Sequence, residues 1–397
     1  MTTRLWDRGE PLDALILRYT AGEDHALDDR LVAYDVRASV AHAAMLRERG
    51  FLTPADFETL ARSLGELGAE HAAGSWKVSL NEEDCHTALE SRLVERCGEA
   101  GKRIHLGRSR NDQVLVAVRL WLKDAAVGLA EDAERTADAL DALSAREGDL
   151  ALPGYTHLQR AMPSSVRLFA GGFATELRDD AAGLRAAARR ADKNPLGSAA
   201  GYGVPGVALD RESTTRSLGF SATHEPVTAV QLSRGKAEAS LLFEAALLAQ
   251  DLGRLAAELC LFATAEFGFI KLPDAFTTGS SMLPQKRNPD VLELARGRTA
   301  EAHAALAEAL GVVAKLPSGY HRDYQLLKKP LFRGVDAASA TAKVMTAVVA
   351  GLKFDRKRAE SALDPSLFMA EKANRLVAEK GMPFRDAYRL ARESAAE

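Results

Sequence analysis

Cysteine is scarce in this 397-residue chain: only Cys85, Cys97 and Cys260, far apart from one another. Three scattered thiols make no disulfide framework and fit a reducing cytoplasm. No apolar run approaches the roughly 18 residues that a membrane span needs. The opening "MTTRLWDRGEPLD" has no apolar core of the kind a secretory signal carries. Charge of one sign is nowhere concentrated, and the net charge is −3, which speaks against nucleic acid or an anionic membrane as the main partner. Also missing are a P-loop, a nucleophile elbow, a dinucleotide fingerprint after a strand, and the H-E-x-x-H spacing of a zinc protease. "EEDCHTALE" (82–90) brings Asp84, Cys85 and His86 together without zinc-ligand spacing, so no metal is expected. No internal repeat or low-complexity linker interrupts the chain. The expectation is a soluble, cytoplasmic globular protein, 47% hydrophobic and able to bury a large core.

Proline is also absent where it matters. None occurs between Pro54 and Pro153, between Pro226 and Pro273, or between Pro289 and Pro317. These gaps are filled with Ala, Leu, Glu, Arg and Val, with apolar residues three and four apart. Val114, Val118, Trp121, Leu122 and Leu129 follow that spacing within 112–147. One helix there would span roughly 54 Å at ~1.5 Å per residue. The segment 237–267 is apolar around most of its circumference, so such a helix must be covered on several sides by a bundle or by other subunits. Strand signals are sparse, and "YGVPGVALD" (202–210) is the best candidate for a short extended piece. The fold class expected is all-α, in three parts. Residues 1 to about 108 form mixed helices, about 109–355 a central long-helix bundle, and 356–397 a short helical tail.

Three polar segments break the helical pattern beside Gly or Pro: "HLGRSRNDQV" (105–114), "PGYTHLQRAMPSS" (153–165) and "TTGSSMLPQKRNPD" (277–290). Each leads into helical sequence. In the third, Asn288 is suited to cap and Pro289 to open the following helix. Free N–H groups at a helix start make a ready seat for a carboxylate. Taken singly, these residues have plainer readings. His157 could be a hydrogen-bonded structural histidine, Arg108 and Arg110 surface charges, and Ser280 and Ser281 ordinary loop residues.

Taken together, the segments resemble the fumarase/aspartase superfamily of lyases. Gly279, Ser280, Ser281, Pro284, Lys286 and Asn288 match its G-S-S-x-x-P-x-K-x-N loop at every fixed position. That loop does not select a substrate. "GRSRNDQV", "PGYTHLQRAMP", "NEEDCHTALESRL", "LPSGYHRDYQLLKK" and "KGMPFRDA", with Gln285 and Asp290 beside the loop core, resemble the argininosuccinate lyase family within it. The resemblance covers nearly the whole chain. Two features depart from it. Asp24, in "TAGEDHALD", stands where many members have a substrate-contacting serine, and relatives usually continue for several tens of residues beyond "YRLARESAAE".

The resemblance implies cleavage of argininosuccinate to arginine and fumarate, the last step of arginine biosynthesis, with no cofactor. It implies Ser280 and His157 as the proton-transfer pair. Ser280 is favoured as the base and His157 as the acid or the group that orients it, the reverse assignment staying open. Lys286 would lie near the serine, held by an ion pair to Glu293. Asn111, Thr156, Asn288, Tyr320, Gln325 and Lys328 match substrate-binding positions. Ser109, Arg110, Ser281 and Asp24 stand with them, and Arg110 and Lys328 would balance substrate carboxylates. The 277–290 loop would close over the substrate on its glycine. A homotetramer is implied, with each site shared between chains. The alternatives are another fumarate-releasing lyase, such as adenylosuccinate lyase, or a crystallin-like structural protein without activity.

Overall fold

The computed structural model describes residues 13–393. Helices dominate it, as the proline gaps predict. The longest runs Arg110–Glu147 for 38 residues. Four more exceed twenty residues: Val166–Ala191, Lys236–Phe262, Asp290–Val313 and Lys328–Gly351. Among the described residues no helix is long and apolar enough to cross a membrane. The Asp290–Val313 helix starts one residue later than its sequence signals indicate. The Pro289 carbonyl accepts its first bond, from the Glu293 N–H at 3.2 Å.

By internal contacts the chain groups into two compact units. The first contains Met1–Gly128, Leu184–Glu244 and His303–Val335; the second contains Leu129–Gly183, Ala245–Ala302 and Asp336–Glu397. The grouping cuts across the sequential segments because the long helices contribute to both units.

In the first unit, Ala38, Ala41, Val116, Leu120, Leu196, Leu218 and Phe220 form one buried cluster. It ties the Val32–Glu48 helix to the start of the longest one. Three long helices approach each other at Gly334. A Cβ there would lie 2.5 Å from Leu242 Cδ2 and 2.9 Å from the Ala305 Cβ, so only glycine permits that crossing.

The second unit packs its helices through small residues, with Ala246, Ala249 and Ala302 buried together. Thr136 fixes the longest helix to its neighbour with bonds to Thr346 Oγ1 at 2.8 Å and to the Ala342 carbonyl at 3.2 Å. Phe169 on Phe354, Phe354 on Phe262 and Phe262 on Phe269 pack edge to face in a chain of rings. The last two helices, Met369–Lys380 and Phe384–Glu393, close on Ala373, Ala387 and Ala391.

The extended segment is not where the sequence suggests. Residues 202–210 are turn and irregular backbone, while Ala151–Thr156 and Gln159–Ser165 pair as an antiparallel hairpin. Proline hides this hairpin from sequence reading, because Pro153 and Pro163 sit opposite one another in it. With only two strands each has an outer edge, where a missing N–H forfeits no ladder bond.

Candidate active site

The start of the longest helix carries the most orderly part of the site. Ser109 caps it: the Ser109 carbonyl accepts from the N–H groups of Asp112 and Gln113, at 3.2 and 3.0 Å. The Ser109 hydroxyl accepts from the Asn111 N–H at 3.3 Å, and the Asp112 carboxylate accepts from the Ser109 N–H at 2.9 Å, as the acidic residue of a capping box does. Its other oxygen accepts from Gly197 N–H at 3.0 Å and Ala199 N–H at 2.8 Å. Burial pushes the Asp112 carboxyl up to about 6, although these three N–H bonds pull the other way. The loop bearing Ser109, Arg110 and Asn111 is thereby fastened to the first unit's interior.

These residues open onto a cavity of about 360 Å³. Tyr320, Gln325 and Lys328 line it from a second segment and Asp24 from a third, so seven of the sequence-derived site residues meet in the first unit. Gln325 holds the Asp24 segment in place by donating to the carbonyls of Thr20 and Ala21, at 2.9 and 3.3 Å.

Lys328 is buried, with its ammonium 2.6 Å from Asp24 Oδ1 and 2.5 Å from Asp28 Oδ1. Burial alone would lower its pKa, but Asp28 and Asp24 outweigh it and hold the lysine charged. Asp24 has the opposite balance. Loss of water pushes it up to about 7, Lys328 pulls it down, and neighbouring Asp28 adds to the rise. Two carboxylates share one ammonium, so with both ionised this corner of the cavity carries one excess negative charge. Lys328 is therefore neutralised from within the chain, a feature its sequence neighbours do not announce.

Elsewhere the lining is cationic. Arg108, Arg110, Arg234 and Arg322 face the cavity with Asp84 as their only carboxylate among the lining residues besides Asp24. Arg110 is paired with Asp84, which also caps the Cys85–Cys97 helix. Behind them Glu83 is buried at φ 67, 3.7 Å from both Arg110 and Arg322. A non-glycine residue rarely adopts that backbone, and the arginines on either side hold it there. His86 is buried 2.9 Å from Asp35. Burial opposes its protonation, but Asp35 and the other acids raise its pKa overall.

Sequence reading missed Asp84, His86, Arg234 and Arg322 as parts of this wall. "EEDCH" did signal a polar group, read then only for metal spacing. Asp28, Cys85 and His86 do place their donor atoms within 4.8 Å of one another. A His86 whose pKa Asp35 raises, an Asp28 already holding an ammonium and a Cys85 thiol whose pKa burial raises are ill suited to bind a cation.

Seven other site residues belong to the second unit and do not line this cavity. Thr156 and His157 are exposed at the tip of the hairpin. His157 and Leu158 form its two-residue turn with φ 53 and 59, the signs of a type I′ turn. Tyr155, just before them, packs edge-on against Phe267 at 5.5 Å. The 277–290 loop is pinched at its base by paired bonds between Thr278 and Asn288, of 3.1 and 2.8 Å. Ser280 Oγ accepts from the N–H groups of Met282 and Leu283, at 3.2 and 3.1 Å. Ser281, Lys286 and Glu293 are exposed. Among the described residues no ion pair joins Lys286 to Glu293, so within one chain that expected pairing is not made.

Comparison with known proteins places these features in a family. The family model described as Lyase matches residues 10–303. An argininosuccinate lyase of Sorangium cellulosum is 49% identical over 100% of this chain and 92% of its own length. That of Thermotoga neapolitana is 38% identical over 99% of this chain and 98% of its own. Among solved structures, an EDDS lyase variant with bound fumarate matches with a TM-score of 0.80 at 25% identity, covering 96% of this chain and 75% of that one.

Proposed function

The chain belongs to the argininosuccinate lyase family, and from that premise we propose that it splits argininosuccinate into arginine and fumarate at the cavity beside Lys328. The observation that carries this reading is the distribution of charge in that cavity. Four arginines line the wall, Arg110 and Arg322 shared with the acids Asp84 and Glu83 and Arg234 beside Glu238, while Asp24 and Asp28 around one ammonium leave a corner negative once Asp24 is ionised. Argininosuccinate has the complementary pattern: three carboxylates, with an ammonium and a substituted guanidinium at its arginine end. The carboxylates are directed to the arginine wall and the cationic end to the aspartate corner. This revises the role expected of Lys328, which orders the two aspartates rather than balancing a substrate carboxylate.

The reaction is a β-elimination. A base removes a proton from the succinyl carbon next to a carboxylate, and the electron pair is held as an enediolate on that carboxylate. The pair then returns to form the carbon–carbon double bond as the C–N bond breaks. The departing guanidine nitrogen takes a proton, which gives arginine and fumarate. Donors aimed at the doubly charged carboxylate lower the barrier most. Ser280 is the base in this reading, and its two backbone N–H donors favour the deprotonated oxygen. His157 is the acid or orienting group, with Ser281, Lys286 and Asn288 around the carboxylate and Thr156 beside the histidine. Glu293 supports Lys286 once the site is assembled.

Assembly follows from where these residues lie. The cavity is built within one unit of one chain, and the serine and histidine are carried on exposed segments. We infer a homotetramer in which the hairpin and loop of other copies complete each cavity. Adding purified protein to argininosuccinate and following fumarate absorbance tests the activity. No absorbance change, with adenylosuccinate, aspartate or malate turned over instead, would reject this substrate.

A further inference from the structure

A second cavity lies in the first unit, between the end of the Val166–Ala191 helix and the start of the Lys236–Phe262 helix. Its volume is about 720 Å³. Arg189, Arg190, Lys193 and Lys236 line it, and Glu244 is its one acidic lining residue. None of the four cations has an ion-pair partner among the described residues. Elsewhere the fold pairs its charges freely: nearby Asp192 goes to Lys123 and Glu225 to Arg211. Four unpaired cations around one hollow repel each other, and an anion between them would remove that repulsion.

The floor of the hollow supplies a second, independent sign. His224 is only 8% exposed and lines the cavity. Its Nδ1 lies 3.0 Å from an N–H nitrogen of Arg119, a fully buried arginine. A guanidinium can only donate, so Nδ1 accepts and the neutral ring carries its proton on Nε2. Burial, then Arg119, Lys193 and Arg211, push the His224 pKa down to about 4, which keeps the ring neutral. Arg119 is itself locked by Ser233 Oγ at 2.6 Å and by the Lys193 carbonyl. The Nε2–H has no partner among the described residues. An unpartnered N–H donor on a ring that lines the same hollow as four unpaired cations is an arrangement for an oxygen anion.

We propose that this hollow is an oxyanion-binding site separate from the catalytic cavity, taking a small multiply charged anion, either a phosphate-bearing molecule or a polycarboxylate. Its residues come from other parts of the chain than the catalytic ones. Ser233 and Arg234 are the point of closest approach in sequence, the first lining this hollow and the second the catalytic cavity.

Calorimetric titration of the assembled protein with pyrophosphate and, separately, with fumarate tests the site. Arg190→Gln, Lys236→Gln and their combination are compared with wild type, and unchanged turnover of argininosuccinate certifies that each is folded. One saturable pyrophosphate site per chain, weakened at least about tenfold in the double variant and restored by Lys236→Arg, is the expected result for a phosphate-bearing ligand. A fumarate site lost in the same variants, beyond the one at the catalytic cavity, assigns the polycarboxylate instead. Equal binding by wild type and variants means an adventitious ion only and overturns the proposal, as does no saturable binding of either probe. A variant whose mass by light scattering falls below wild type would show carboxylates of another copy filling the hollow, which also overturns it.

Discussion

A carboxylate removed from water loses solvation that one shared lysine returns only in part. Asp24 is in that position, so its ionised form is disfavoured in the folded chain and its pKa rises from 3.8 to about 7. Between those values the folded chain holds more protons than the unfolded one, so this group lowers stability as pH rises through that window. Its ionised form is the one that would hold a substrate cation, so binding should improve as pH rises through about 7. In Asp24→Asn that acidic limb of kcat/KM should vanish, with KM raised at least about tenfold at alkaline pH. Overlapping profiles for wild type and variant would remove Asp24 from substrate binding. Its burial beside Lys328 already excludes a mere surface carboxylate. Ser280 calls for a different measurement. Ser280→Ala should lower kcat by at least about two orders of magnitude while leaving substrate affinity largely intact. Near-normal turnover would take Ser280 out of the proton transfer.

At the scale of elements, the cap of the Arg110–Glu147 helix does two jobs. Asp112 accepts from the Ser109 N–H at the cap and anchors Gly197 and Ala199, and Ser109, Arg110 and Asn111 are held at the cavity by the same bonds. Asp112→Ala leaves three N–H groups without their acceptor. It should lower unfolding free energy by about 2–4 kcal/mol in denaturant titration, and reduce kcat/KM at temperatures where the variant is still folded. A variant with wild-type stability would mean that water replaces the carboxylate. The long helices were legible in the sequence because i, i+3 and i, i+4 spacing and proline gaps are local signals. The hairpin was not, because Pro153, Gly154 and Pro163 are tolerated there only through a pairing that its local sequence does not display.

The whole molecule leaves apolar surface on a long helix. On Lys236–Phe262, Phe243 is 50% exposed, Leu247 37% and Leu261 43%, with the first two a single turn apart. An uncovered stripe of this kind is what a subunit contact would bury. If the proposed tetramer uses this stripe, Phe243→Asp with Leu247→Asp should reduce the mass found by light scattering below that of wild type and abolish activity. Full assembly in that variant would place the contact elsewhere. Sharing of the site has its own test. Ser280→Ala and His157→Asn are each expected to be inactive. Unfolded and refolded together in equal amounts, they should regain activity at about one site in four if the two residues of a site come from different chains. A mixture that stays inactive would put both residues of a site on one chain.

By itself the sequence determined the helices, the G-S-S-x-x-P-x-K-x-N loop and the family, since each is a matter of residues adjacent or a few positions apart. Seven of its candidate residues also line one cavity. What only the tertiary structure decided is how charges are shared. Lys328 is divided between Asp24 and Asp28, the latter 300 positions away, Arg110 is taken by Asp84, and Asp112 collects three N–H groups. Coulomb energy and desolvation depend on distance in space and on exclusion of water. Neither quantity exists until the chain has folded, and so the negative corner of the cavity could not be read from the order of its residues.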